Sequence, residues 1–67
     1  MKLVFEDSYG QKRVLGSYDT RNDCLMAIHA FLEEHNFKSY YTRSWREGND
    51  ETLDVGSYTE FFHIIYD

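Results

Sequence analysis

One stretch of this chain repeats its apolar residues at helical spacing, and that stretch sets what the rest can fold into. Between Thr20 and Asn36, the residues Cys24, Leu25, Ile28, Phe31, Leu32 and His35 recur three and four apart and form one stripe. Thr20-Arg21-Asn22-Asp23 resembles a capping box, with the Thr20 hydroxyl accepting from the Asp23 amide and Asp23 reaching back. Asn36 suits a left-handed C-terminal cap. A helix over about Arg21–His35 follows, with His29 and Glu33 on its other face. One amphipathic helix can cover one face of one sheet, so the flanking segments must supply that sheet.

They read as strands. KLVFE alternates apolar and polar residues, DSYGQ supplies turn chemistry with Gly10 free to take positive φ, and KRVLGSY returns as the second strand of a hairpin. FKSYYTRSW is the third strand. REGNDE, with Gly48 and Asn49, reads as a hairpin loop, and TLDVG pairs back with Leu53 and Val55 on one face and Asp54 on the other. After Gly56 the phase changes, so a bulge or bend at GSYT is expected to reset the register. EFFHIIY is apolar on both faces around His63, which suits a central or doubly covered strand. The expected fold is a single α+β domain over residues 1–67. It has one antiparallel β-sheet of four to five strands, in the order ββαββ(β), with a single helix packed on one face.

A core built from 67 residues supplies roughly 3–5 kcal/mol of net stability. Cys24, the lone cysteine, cannot form an internal disulfide, and no Cys/His cluster offers four zinc ligands. Six Tyr, five Phe and Trp45 partly offset the small size by the area their rings bury. Self-association is the other remedy, which leaves a homodimer as an open alternative. No apolar run follows a basic N-terminal segment, and no stretch approaches the ~20 apolar residues of a membrane span, so neither a leader nor membrane attachment is expected. The free cysteine fits a reducing, cytoplasmic setting.

The residues that could carry catalysis do not assemble. Cys24 sits in the first helical turn but lies on the apolar stripe, where a small buried hydrophobe is expected. His29 and Glu33 are four apart and make at most two ligands, on a solvated helix face. His63 among Phe62, Ile64 and Ile65 reads as a satisfied core histidine, and the four glycines form no phosphate-binding loop. No enzyme, cofactor or metal is expected.

Charge is the feature that points to function. Residues 1–46 hold all seven basic side chains against six acids, whereas residues 47–67 hold the other six acids and no base. Glu47, Asp50, Glu51 and Asp54 fall within eight residues at one hairpin, with Glu60 a little beyond. Such a ridge suits the basic surface of a partner protein. A second pattern lies just before it. In Lys38–Arg46, aromatic and basic residues interleave, and strand alternation places Tyr41, Arg43 and Trp45 on one face, as on platforms that stack single-stranded bases. The acidic partner strand lowers the potential that phosphate would meet there, so direct nucleic-acid binding is the second reading.

The stretch from Tyr40-Tyr41 with Arg43 and Trp45, through Leu53-Asp54-Val55-Gly56-Ser57, to Thr59-Glu60-Phe61-Phe62 resembles small proteins of phages and prophages of Gram-positive bacteria, over about residues 37–65. The resemblance implies a context. Compact acidic phage proteins of this size are often inhibitors of host machinery, including anti-CRISPR and other anti-defence proteins, and would act in the host cytoplasm. The expectation is a non-enzymatic interaction protein that occupies a basic, nucleic-acid-handling surface on a host protein through Glu47, Asp50, Glu51, Asp54 and Glu60. A single-stranded nucleic-acid binder using Tyr41, Arg43 and Trp45 is the alternative, and a structural or assembly subunit is the third.

Overall fold

The computed structural model describes residues 1–35, 43–56 and 59–66. Strands β1 (Lys2–Glu6) and β2 (Lys12–Ser17) form a hairpin, helix α1 (Arg21–Glu34) follows, and β3 (Arg43–Glu47), β4 (Asp50–Asp54) and β5 (Phe61–Ile65) complete the chain. The five strands make one antiparallel sheet in the order β2-β1-β5-β4-β3. β5 is the middle strand, in line with its two-sided apolar pattern.

Local chemistry explains the elements. In the β1–β2 turn the Asp7 carboxylate accepts from the Tyr9 and Gln11 amides, each at 2.9 Å, while Gly10 takes φ 79°. Thr20 caps the helix, its hydroxyl accepting from the Asp23 amide at 3.1 Å, and His35 closes the other end. The proposed cap at Asn36 lies outside the described residues, as does the GSYT bend at Ser57 and Tyr58. The β3–β4 connection is tighter than the sequence suggests. Glu47 pairs with Asp50 across a two-residue turn in which Gly48 takes φ 61°, so Arg46, Glu47, Asp50 and Glu51 are strand residues rather than loop.

The core forms where α1 lies on the sheet. Cys24, Ile28 and Leu32 of the stripe are buried with Leu3, Leu53, Val55, Phe62 and Ile64. Leu25 and Phe31 are partly buried against that cluster, and His35 is exposed but stacked on Phe31 at 4.2 Å. Phe5, Phe31 and Phe62 meet with ring centroids 4.9–5.5 Å apart, joining helix to sheet. His29 and Glu33 are exposed. The pairing Leu53↔Phe62 sets an odd residue of β4 beside an even one of β5, so the change of phase after Gly56 is real. Burial pushes the Cys24 thiol pKa up, as suits a packing residue.

This packing predicts unequal costs along the helix. Ile28→Ala should lower the unfolding free energy by about 2–5 kcal/mol, whereas Glu33→Ala should change it by less than ~0.5 kcal/mol. Denaturant melts of the two variants measure the difference.

Candidate functional site

Pairing across the sheet sorts its side chains onto two faces. Leu3, Phe5, Phe62, Ile64, Leu53 and Glu51 face α1. The other face carries Val4, His63, Thr52 and Trp45 in one row, and Glu6, Phe61, Asp54 and Arg43 in the next. A further row holds Lys2, Ile65, Asp50 and Glu47. Most of the sequence features with functional promise therefore converge on the helix-free face.

His63 lies at its centre and is only 7% exposed, because neighbouring side chains close over it. Its Nε2 is 2.7 Å from Glu6 Oε1, and its Nδ1 is 2.9 Å from Asp50 Oδ1 and 3.2 Å from Thr52 Oγ1. A protonated ring donates to both carboxylates, while a neutral ring with its proton on Nε2 donates to Glu6 and accepts a hydrogen bond from the Thr52 hydroxyl at Nδ1. Either way the ring ties β1 to β4 across β5. This is the satisfied histidine the sequence suggested. Glu6 and Asp50 sit on opposite ring nitrogens, so the three groups do not converge on a common point.

The five acids expected to form one ridge divide instead among different places. Glu47 is exposed at the turn, and Asp50 and Asp54 share its face. Glu60 is half-buried just ahead of β5. Glu51 departs from the expectation. It points to the helix side, is 6% exposed, and is engaged by the Arg21 guanidinium through Nε at 2.9 Å and Nη2 at 2.8 Å. The Tyr66 hydroxyl donates to it as well, and Tyr66 in turn lies under Arg46, whose Cζ is 4.0 Å from the ring centroid. Strand alternation carries the reason: Glu51 is one residue out of phase with Asp50 and Asp54. An acid held in this way is a fastening between helix and sheet, not a surface charge.

The second sequence pattern is partly reproduced. Arg43 and Trp45 do share a face, with Arg43 Cζ 5.4 Å from the indole centroid. Trp45 is 40% exposed and meets Phe61 edge-on at 6.3 Å. Tyr41 lies outside the described residues. Arg43 Nε also lies 3.3 Å from Asp54 Oδ2, and Asp54 Oδ1 accepts from the Gly56 amide at 2.9 Å. The acids therefore have basic neighbours that the count along the chain concealed.

On the other side of the molecule, a groove of about 140 Å³ runs between α1 and β4, lined by Leu25, Ile28, His29, Leu32, Leu53 and Val55. It falls short of the ~300 Å³ at which small-molecule sites begin. Among the described residues, no helix is long and apolar enough to cross a membrane. Architecture and site together define a two-layer α+β domain with one face capped by a helix and the other a sheet surface of mixed charge that carries Trp45 and Phe61. Comparison with family profiles, curated proteins and solved structures finds no match, so the functional reading rests on this geometry.

The Arg21–Glu51 contact has a pH signature. Hydrogen bonding from Arg21, more than offsetting burial, with further help from Tyr66 and Ser44, lowers the Glu51 pKa from 4.5 to about 2. A carboxylate depressed on folding contributes stability that is fully present above its unfolded pKa and is lost as the pH falls through the folded one. Between about pH 5 and pH 2 the wild type should therefore lose roughly 2–3 kcal/mol more than Glu51→Gln does. Urea melts across that range measure the gap.

Proposed function

We propose that this is a non-enzymatic interaction protein that docks on a basic surface of a partner through the acidic side of its helix-free sheet face. The observation that carries this reading is the shared face of Glu47, Asp50 and Asp54 with Trp45 and Phe61. Acids steer encounter with a basic surface, and exposed aromatic area supplies contact once the two meet. Glu60 stands at the approach to β5 and can extend the rim. Glu51 is no part of it.

The phage resemblance gives the reading its context. A host nucleic-acid-handling protein, including a defence effector, presents the kind of basic groove that such a face fits, and the proposed site of action is the host cytoplasm. The single-stranded nucleic-acid reading is weaker on this geometry. Arg43 already covers part of the Trp45 ring, and Asp50 and Asp54 stand where a phosphate backbone would pass.

The test compares partner and oligonucleotide directly. A protein retained from host lysate on the immobilised domain is identified, purified and measured against variants at two salt concentrations. Glu47→Lys combined with Asp50→Asn should slow its association about tenfold or more at low salt, with the gap shrinking at high salt. If instead the double variant gains affinity for single-stranded DNA and Trp45→Ala loses about 1–3 kcal/mol of that binding, the nucleic-acid reading replaces the proposal. Unchanged association in every case refutes both.

A further inference from the structure

The contact of Arg43 with Trp45 and Asp54 says which chemical group the acidic face receives. Asp54 is a largely covered acceptor, its side chain 17% exposed and its Oδ1 fixed by the Gly56 amide, while its Oδ2 meets the Arg43 side chain that rests on Trp45. The cation laid against it is different in kind. The Arg43 side chain is 73% exposed, reaches Oδ2 through Nε alone at 3.3 Å, and rests over the indole at 5.4 Å. The acceptor is thus built into the strand and its turn, while the guanidinium lies on top with most of its surface in water.

We infer that Trp45 and Asp54 form a recognition site for an arginine side chain of a basic partner polypeptide, and that Arg43 occupies it in cis until the partner's arginine displaces it. The inference rests on the proposed acidic docking face and names what docks there. A guanidinium fits better than an ammonium, since its plane can stack on the indole while its N–H groups reach a carboxylate. Exposed ion pairs and exposed cation–π contacts are both weak, so the internal occupant is exchangeable. Phe61, edge-on to Trp45, backs the ring, and Asp50 and Glu47 extend the negative potential along the next row.

Trp45 is the single tryptophan of the chain, so its emission reports on this site. The probe is a synthetic peptide of alternating glycine and arginine, with a glycine–lysine peptide of equal length as comparison. Arg43→Gln should bind the arginine peptide about three- to tenfold more tightly than wild type, by saturable change in Trp45 emission, and Asp54→Asn should bind it several-fold more weakly. Arg43→Gln also alters net charge, which Lys12→Gln on the same face controls; the gain must exceed that control. Arg43→Lys, which keeps the charge but not the plane, should also show a gain. Equal affinity for the two peptides, or no gain in Arg43→Gln beyond Lys12→Gln, overturns the inference. The combined Glu47→Lys and Asp50→Asn variant separates the two levels. If it weakens peptide binding while the Arg43 variants bind like wild type, the acidic face stands and the cis-occupied arginine site falls. If it leaves peptide binding unchanged, the acidic docking face falls, and the inference with it.

Discussion

The sheet is held together at β5. The β1–β2 and β3–β4 hairpins each close over short turns, and within the sheet they are joined by the strand between them, which pairs Lys2 with Ile65 on one side and Asp54 with Phe61 on the other. The core depends on the same joint, since Leu3, Phe62, Ile64 and Leu53 come from β1, β5 and β4. Contacts that join the two ends of a chain come with a loop-closure cost, and here they must form before α1 has a complete surface to rest on. The joint is made on both faces. Under the helix it is apolar, with Phe62 against Phe5 and Phe31; on the other side it is polar, with His63 between Glu6 and Asp50.

That two-sided joint explains how one helix suffices for five strands. A strand with large apolar residues on both faces would normally need a second layer. Here His63, with hydrogen-bond partners on both ring nitrogens, replaces an apolar side chain at the centre of the face without a helix. Val4, Trp45, Phe61 and Ile65 surround it at differing exposure. The result is a surface part way between core and solvent, ordered by hydrogen bonds and still apolar enough to make contacts. Recognition of a basic partner, as proposed, would use this same surface.

The elements were legible because their signals are local. The stripe from Cys24 to His35, the cap at Thr20 and the alternation of KLVFE and TLDVG each fix a conformation within a few residues. The position of β5 could be read as well, because apolar residues on both faces imply neighbours on both sides. The pairing of charges could not. Arg21 and Glu51 are 30 residues apart, and Glu6 and His63 are 57 apart. Counting charge along the chain divided it into a nearly neutral body and an acidic tail, but the fold lays tail acids beside Arg21 of the helix and Arg43 of β3. One signal was available and sufficient for Glu51: on a strand where Leu53 is buried, Glu51 shares the buried phase, and Asp50 and Asp54 do not.

What remains on the surface bears on whether those acids only keep the sheet soluble. Edge strands are commonly protected by lysine, proline or an inward-pointing charge, devices that lower the tendency to associate. β3 is an edge strand with a half-exposed tryptophan at its centre and the exposed charges of Arg43, Arg46 and Glu47 around it, which already guard the edge. The acids beside it are held in place, Asp54 by the Gly56 amide and Asp50 by His63. A charge that only repels other copies has no need of a fixed direction, whereas one that receives a cation does, since the strength of an ion pair depends on where its oxygens point. Fixed carboxylates beside an exposed indole fit the proposed contact with a cationic partner. The guanidinium of Arg43, resting on the indole at the cost of little of its own hydration, shows the chain making such a contact with its own side chain.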